Sequence, residues 1–159
     1  MNFIHGRIEK GYFYPDETNC KILLTSDQKK LLKNYESRRV VYGIRPENLI
    51  FHKSSLFEDS KKFSFTMTKD IVEKLGDVVN VHGSLGSAKI VLKMNMKYYT
   101  SLENDVLVAI DTEHAKFFNE STTRTITEED CAYEEVESTQ SLEEDNVVIV
   151  DFKKKKKAK

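Results

Sequence analysis

The residues of this chain that could perform chemistry do not combine into a catalytic constellation. The segment from Gly83 to Ile90 looks at first like a phosphate-binding loop, which needs a glycine, four residues, a second glycine, a lysine and then a hydroxyl side chain. Ala88 stands at the second glycine position and Ile90 at the hydroxyl position. The alternating residues that follow predict a strand instead of a helix, so we interpret the segment as a hairpin turn.

Metal-binding and nucleophilic sites are not indicated either. Cys20 and Cys131 form no CxxC pair, and no histidine has a second ligand at helix or hairpin spacing; the histidines are His5, His52, His82 and His114. The acidic run near the C-terminus contains no glycine and therefore lacks the residue order of a calcium loop. We expect no catalytic residue, no metal and no cofactor, and we predict that the chain is not an enzyme.

Composition excludes several broad classes of protein. Of the 159 residues, 39% are hydrophobic and 32% are charged, which is typical of a globular chain. No apolar run approaches the roughly 20 residues that cross a bilayer, and the N-terminus lacks the apolar core of a signal peptide. Two distant cysteines suit reduced thiols in a cytosolic protein. Membrane-spanning, secreted and collagen-like proteins are therefore not expected.

The charges are segregated along the chain although the net charge is only −1. Nine acidic residues and no Lys or Arg lie between Thr127 and Asp145, and six lysines follow within 153–159. Blocks of like charge repel themselves and usually stay solvated. We predict a folded domain at 1–126, an acidic linker at 127–145, an additional strand at 146–152 and a lysine tail at 153–159. The near balance of charges gives no reason to expect a nucleic-acid partner.

Apolar residues alternate in several short segments, which predicts β-strands. Thr25 and Gln28 have the spacing of a helix capping box, which predicts a small helix at 26–36. Lys69–Leu75 fits either a strand extension or a helical turn. The predicted strands include Arg39–Ile44, Val78–His82, Lys89–Tyr98 and Val106–Ile110, the last buried on both faces. Many short strands with a minor helix predict an all-β fold with a closed or partly closed barrel.

One segment is more specific than this pattern. Val41–Leu49 reads VYGIRPENL and resembles the "GIRPE" signature of the C-terminal regulatory domain in ATP-binding subunits of carbohydrate-type ABC importers, the maltose and glycerol-phosphate class. Ile71–Asp77 is similar to that family's "vvE-x-LG" element. Glu113 and Phe118 match its closing segment, and Met1–Phe3 matches the "MNF" that follows the nucleotide-binding domain.

The end of the match departs from the family pattern. Asn119 stands where the family usually has Asp, and Lys116 stands where it often has His. Thr122-Thr123 replaces the expected Thr-Gly. The whole ATPase domain, with its phosphate loop, signature segment and magnesium-binding strand, has no counterpart in this sequence.

The resemblance implies an OB-like, partly closed small barrel or pair of barrels of the TOBE/MOP type. It also implies a non-catalytic regulatory role, with homodimer contacts or association with an ABC ATPase domain and its permease, and a regulatory protein as a further partner. The expected location is cytoplasmic, peripheral to the inner face of the cell membrane through the transporter.

The expected interaction residues are Arg45, Pro46, Glu47, Gly76 and Glu113. Pro46 favours an extended backbone at Arg45. Arg45 and Glu47, two apart on an extended strand, would share a face and could form an ion pair or contact a partner. They therefore either fix a turn or lie at a domain–domain or dimer interface. Gly76 is likewise either a turn glycine or a contact point.

Two other functions remain open from the sequence. A free-standing barrel could bind single-stranded nucleic acid by stacking bases on exposed aromatic rings beside cations. The residues that could do so are Lys93, Lys97, Tyr98 and Tyr99. A barrel of this type could also bind a small oxyanion, because related barrel domains resemble molybdate-binding modules.

Overall fold

In the computed structural model, the described residues are 1–52 and 64–130. The chain divides into a compact unit, Met1–Ile126, and a second unit, Thr127–Lys159. Cys131, most of the predicted acidic linker, the strand predicted at 146–152 and the lysine tail at 153–159 lie outside the described residues. Across the described ranges, no helix combines the length and the apolar character needed to cross a membrane.

The described strands form two antiparallel sheets of five. The first sheet has the order β10-β4-β1-β2-β3 and the second the order β5-β9-β6-β7-β8. The strands are β1 Asn2–Glu9, β2 Tyr12–Pro15, β3 Ile22–Leu23, β4 Arg39–Ile44, β5 Leu49–Phe51, β6 Ser64–Leu75, β7 Val78–Leu85, β8 Ala88–Asn95, β9 Asp105–Ile110 and β10 Lys116–Asn119. The helical segments are α1 at Ser26–Leu31 and 3-10 helices at Lys33–Tyr35, Pro46–Asn48, Met96–Ser101 and Thr112–His114. The all-β class with a minor helix is confirmed.

Alternating burial along the strands produces one core from both sheets. In β1 and β7, every second residue is buried, as expected for strands with one face on a core. The largest buried rings lie together: Phe13 stacks on Tyr42 at 5.3 Å between ring centroids, and Phe117 meets Tyr42 edge-on at 4.9 Å. Buried side chains of the second sheet, such as Val81 and Leu92, belong to the same cluster.

The capping box predicted for the helix is present, but the helix is shorter than expected. Gln28 N–H donates to Thr25 Oγ1 at 3.2 Å, and Gln28 Oε1 accepts from Thr25 N–H at 3.1 Å. The α-helix ends at Leu31, and a 3-10 helix continues at Lys33–Tyr35. Gln28 Nε2 also donates to the carbonyl of Thr112 at 3.1 Å, so the same side chain holds a distant segment.

Two strand predictions change at their ends. The strand expected at Lys89–Tyr98 ends at Asn95, whose Oδ1 accepts from Lys97 N–H at 3.0 Å and so caps a 3-10 helix. In β9, Leu107 is 37% exposed, so the strand alternates there and is not buried on both faces as predicted. Lys69–Leu75, which by sequence fits either a strand or a helical turn, is the second half of β6.

A bulge divides β6 into two parts. The register with β7 shifts between Lys69 and Ile71, so Asp70 has no opposite residue. β9 pairs with β6 only from Ser64 to Thr68. Among the described residues, the part of β6 beyond the bulge is paired with β7 alone.

The side chain of Asn2 joins the two sheets. Its Nδ2 donates to the carbonyl of Val91 at 2.9 Å, and its Oδ1 accepts from Val91 N–H at 2.8 Å. Val91 lies on β8, an edge strand of the second sheet, whereas Asn2 begins β1 in the middle of the first. Asn2 is 3% exposed, so both bonds are shielded from water. At this point the Asn2 amide therefore provides the hydrogen bonds that a neighbouring strand would otherwise give to the edge strand β8.

Replacing Asn2 should lower the stability of the domain strongly, although the substitution removes only a small side chain. Asn2→Ala leaves a backbone N–H and a carbonyl of Val91 without partners, which we expect to lower the free energy of unfolding by about 2–4 kcal/mol. Urea unfolding measures the change. The matched control is Asn104→Ala, an exposed asparagine with no side-chain hydrogen bond among the described residues, which should change stability by less than about 0.5 kcal/mol. Equal effects of the two substitutions would contradict this account.

Candidate functional site

Two segments carry the chain between the sheets and lie side by side. We call Arg45–Asn48, which leads from β4 to β5, the first crossover, and Asp111–Ala115, which leads from β9 to β10, the second crossover. Asp111 N–H donates to the carbonyl of Asn48 at 2.9 Å. The crossovers therefore bring the Arg-Pro-Glu part of the GIRPE motif and Glu113 onto neighbouring segments.

Of the two contacts that the sequence left open for Arg45 and Glu47, the ion pair between them is not formed. Arg45 keeps an extended backbone, with φ −76° and ψ 149°, as Pro46 predicted. Pro46 then begins a 3-10 helix, so Glu47 does not continue the strand and no longer shares a face with Arg45 by alternation. Among the described residues, no ion pair or hydrogen bond holds either side chain, and both are exposed. Their charges are available to a partner.

Glu113 and Gly76 occupy different places. Glu113 is exposed in the 3-10 helix of the second crossover. Gly76 follows β6 in the turn to β7, where its φ of +69° favours glycine and no atom lies within 4 Å of the position that a β-carbon would take. The far end of β6, at Ser64, pairs with Ala109 beside the crossovers. Gly76 is thus at the opposite end of the strand from the other four residues.

A buried phenol lies in the strand that leads to the first crossover. Tyr42 is fully buried, and its hydroxyl has no hydrogen-bond partner among the described residues. Burial raises the pKa of Tyr42 far above its ordinary value, and the Asp111 carboxylate raises it further. Asp111 Oδ2 itself lies 2.9 Å from His114 Nδ1. The phenol therefore stays neutral and is not suited to acid–base chemistry.

The outer face of the first sheet carries an apolar groove of about 340 Å³. Phe3 of β1 and Phe118 of β10 meet edge-on at 5.6 Å across β4. Phe3 is 50% exposed, although it is a large apolar side chain. A methyl group at Gly43 would lie 2.5 Å from the ring of Phe118, so the glycine of the GIRPE motif lets this ring lie across β4. The groove is lined by Phe3, His5, Val41, Phe118, Asn119, Glu120 and Thr123.

An ion cluster closes one end of this groove. The Arg39 guanidinium makes two hydrogen bonds to Asp16, at 2.6 and 3.1 Å, and its Nε donates to Glu120 at 2.8 Å. His5 Nδ1 lies 3.2 Å from Glu120 Oε1. These four side chains come from different segments of the first sheet, so the cluster ties the end of β10 to β4, β1 and the loop after β2.

The cluster also lowers the pKa of the Glu120 carboxyl. Arg39, and then His5, hold the pKa of Glu120 below its ordinary value by hydrogen bonding to the carboxylate. A carboxyl whose pKa is lowered by folding stabilises the fold above its unfolded pKa and loses that contribution as pH falls through the lowered value. The side chains are open to water, so solvent screening keeps the contribution small.

The other end of the groove is basic. Lys116 lies opposite Gly43 and is exposed. Arg45 continues the alternation of β4 on the same face, because its backbone is still extended. An exposed apolar groove between a basic end and an ion-paired end is typical of a surface that contacts another protein.

The aromatic rings of the proposed nucleic-acid patch are already occupied by contacts within the chain. Tyr98 lies 5.9 Å from the ring of Phe51, between centroids, and both Tyr98 and Tyr99 pack against the core. Lysine ammonium groups already cover the two rings: Lys97 lies 4.7 Å from the centre of the Tyr98 ring, and Lys74 lies 4.2 Å from the centre of the Tyr99 ring. Little aromatic surface is left on which a base could stack.

Sequence reasoning missed the groove. Phe3 and Phe118 belong to the first and last strands of the domain and are therefore far apart in the sequence. They meet only because both strands pair with β4 in the observed register. The alternation in β1 did carry a signal, because it places Phe3, His5 and Arg7 on the exposed face. For the residues that the structure describes, no three His, Cys, Asp or Glu side chains are grouped to hold a metal ion.

The N-terminal third of the chain matches a known family. Residues 1–49 match the family model described as the MalK OB fold domain. The resemblance is confirmed. The matched residues include Asn2, the first crossover and Gly43. No curated protein sequence matches the chain.

A solved structure has a similar fold. It is the cytoplasmic molybdate-binding protein ModG, in a crystal form with molybdate bound. The TM-score is 0.55 at 14% sequence identity, and the alignment covers 73% of this chain and 94% of that chain. This likeness supports the OB/TOBE-type fold class predicted from the sequence.

The departure at Thr122-Thr123 has a structural cost. Asn119 Oδ1 accepts from the N–H groups of Ser121 and Thr122, at 2.9 and 3.0 Å, in a tight turn after β10. Thr123 then adopts a φ of +57°, the left-handed region that β-branched residues rarely enter. Glycine, which the resemblance implies at this position, would adopt this conformation without strain.

We therefore expect Thr123→Gly to stabilise the domain. The relief of backbone strain is worth about 1–2 kcal/mol, which exceeds the added chain entropy of glycine in the unfolded state, and the melting temperature should rise by a few degrees. The control is Thr122→Gly, a neighbour without a positive φ, which should be neutral or destabilising. A lower melting temperature for Thr123→Gly would contradict the strain.

Proposed function

We propose that the chain is a non-catalytic regulatory and dimerisation module of an ATP-binding subunit from a carbohydrate-type ABC importer. The observation that carries this proposal is the match of residues 1–49 to the MalK OB fold domain, which contains both the MNF start and the GIRPE motif. The proposed partners are a second such module, the ATPase domain and the permease, with a regulatory protein as a further partner. The proposed location is cytoplasmic, at the inner face of the cell membrane.

The surface chemistry supports a role in protein contact. Arg45, Glu47 and Glu113 project from neighbouring crossovers, and the first two are without charged partners in the described part of the chain. The apolar groove begins at the same end of the first sheet, because Asn2 pairs with Ile44 and Lys116 pairs with Gly43. Charged side chains around an apolar centre give a protein interface both affinity and orientation.

The proposed mechanism is restraint. A module that joins two ATPase subunits at a distance from their nucleotide sites raises the effective concentration of one subunit for the other. A regulator that binds the module could favour the open or the closed subunits only as far as it binds the two states with different affinity. No chemistry by this chain is required.

The proposal can be tested with an ATP-binding subunit of a carbohydrate-type importer that lacks its own C-terminal domain. We expect the full-length chain to associate with it in sedimentation experiments and to lower the protein concentration needed for ATP hydrolysis. The double variant Arg45→Ala with Glu47→Ala should weaken the association about tenfold or more, because both exposed charges belong to the contact.

The matched control removes two charges elsewhere. Asp27 and Lys30 form an exposed pair on α1, 3.3 Å apart, and Asp27→Ala with Lys30→Ala should leave the association unchanged. If the unmodified chain shows no association at high micromolar concentration, the importer role is wrong. If it associates but both double variants behave alike, the crossovers are not the contact.

Oxyanion binding is the second candidate, and the similarity to ModG with its molybdate favours it. Against it, basic side chains on the outer face of the second sheet already face carboxylates: Lys89 Nζ lies 3.4 Å from Asp70, and His82 Nε2 lies 3.0 Å from Glu73. His82 holds the pKa of Glu73 below its ordinary value, so this carboxyl stays charged and repels anions. We expect calorimetry with molybdate and tungstate to show no saturable heat, and micromolar binding would favour this second function.

A further inference from the structure

The apolar groove on the outer face of the first sheet leads into two exposed cations. The rings of Phe3 and Phe118 form the apolar centre of the groove. Lys116 lies two residues before Phe118 along β10, and Arg45 lies two residues beyond Gly43 along β4. Among the described residues, neither cation has an ion pair or a hydrogen bond from its side chain.

Two carboxylates follow these cations in the same direction. Glu47 lies two residues beyond Arg45 in the first crossover, and Glu113 lies three residues before Lys116 in the second crossover. Both are exposed, and within the described ranges neither side chain makes an ion pair or a hydrogen bond. From the groove toward the crossovers, the surface is therefore apolar, then basic and then acidic.

The C-terminal sequence has a complementary pattern in the same order. Residues 146–152 read NVVIVDF, in which four aliphatic residues precede Asp151, and the lysines of 153–159 follow. This is the additional strand that the sequence predicts, and the proposed function gives it no task. It lies outside the described residues, and its order of apolar, acidic and basic residues is a property of the sequence alone.

We propose that residues 147–151 occupy the groove of the same chain in an extended conformation. The aliphatic side chains would face the two rings of the groove, Asp151 would face the two cations, and the lysines beyond it would face the two crossover carboxylates. The segment would then cover the crossovers, to which we assign the contact with an ATP-binding subunit. The inference adds regulation to that contact, and to that extent it rests on the proposed function.

Spacing along the groove selects the face of the segment that turns inward. Val41, which lines the groove, and Arg45 are four residues apart on one face of β4, or about 14 Å at the rise of an extended strand. Val147 and Asp151 are also four residues apart. A segment that runs along β4 therefore places Val147 and Ile149 over the apolar centre when Asp151 reaches the basic end. The opposite face of the segment is apolar throughout and would leave the cations without a partner.

The connection to the segment is long enough. Residues 127–146 separate the compact unit from it, and an extended chain of this length spans about 65 Å. A domain of about 126 residues has a radius of gyration of only about 14 Å. A tethered segment has an effective concentration in the millimolar range, so even weak complementarity fills the groove. The chain also leaves the domain nearby, because Glu120 and Thr123 line the groove shortly before Ile126 ends the compact unit.

Paramagnetic broadening in the full chain tests the contact. In a background of Cys20→Ser and Cys131→Ser, a nitroxide attached at Phe152→Cys should broaden the amide signals of Lys116 and of the first crossover. A mixture of nitroxide-labelled chain with isotope-labelled chain that carries no nitroxide should show no such broadening, because the contact lies within one copy. Broadening of equal strength in the mixture would mean that a second copy supplies the segment, which overturns the proposal.

Two double substitutions compare the faces of the segment. Val147→Asp with Ile149→Asp puts carboxylates into the apolar centre and should reduce the docking equilibrium constant at least about tenfold. Val148→Asp with Val150→Asp is the matched control. It adds the same charges to the same segment on the face turned away from the groove, and it should change the constant less than about twofold. An equal loss with both pairs overturns the proposal.

Exchange of charges provides a second readout. Asp151→Lys should weaken docking about tenfold, because it opposes like charges at the basic end. Lys116→Asp with Arg45→Asp should weaken it similarly, and the triple variant should restore the broadening. Circular dichroism separates loss of docking from loss of fold in the groove variants. A triple variant that folds and shows no rescue overturns the assignment of Asp151 to these cations.

The outcomes separate docking from the proposed function. If the segment covers the crossovers, Val147→Asp with Ile149→Asp should tighten association with the ATP-binding subunit by the factor by which docking lowers the fraction of free groove. An unchanged affinity overturns the regulation. Association without docking overturns the inference and leaves the importer role intact, whereas docking without association overturns the importer role and leaves the docked segment intact.

Discussion

The bidentate contact between the Asn2 amide and the backbone of Val91 is the constraint on which the arrangement of the two sheets depends. It lets a strand in the middle of one sheet satisfy an edge strand of the other, so the core closes at this corner without an additional strand. Because Asn2 pairs with Ile44 across β1 and β4, the same corner positions the exit of β4. The first crossover starts there, and the placement of Arg45 follows from a hydrogen bond made elsewhere in the sequence.

The GIRPE motif distributes separate physical tasks over adjacent residues. Gly43 leaves room for the ring of Phe118, Pro46 ends the strand and starts a 3-10 helix, and Arg45 and Glu47 are left exposed on either side of it. The motif therefore builds the groove, turns the chain toward the second sheet and supplies charge at one place. Most of the tasks of this short segment are therefore structural, and the two exposed charges are what it leaves for a partner.

Much of the fold could be predicted from the sequence, because strands with one buried face show period two and the capping box at Thr25 and Gln28 has a fixed spacing. The limits of that reasoning have physical causes. The bulge at Asp70 changes which residues of β6 face inward, so one periodicity cannot describe the whole strand. Alternation misplaces Glu47, because a strand pattern does not show that the chain turns at Pro46. The groove depends on the register between distant strands, which local pattern does not encode.

The side chain of Gln28 links its own helix to a distant segment of the chain. Its amide closes the capping box and at the same time holds the carbonyl of Thr112 in the second crossover. The first turn of α1 and that crossover are thus mechanically coupled through one side chain with little exposure. Any ligand that displaces the second crossover must also loosen the start of α1, and the backbone amides of this helix would report the event through faster hydrogen–deuterium exchange.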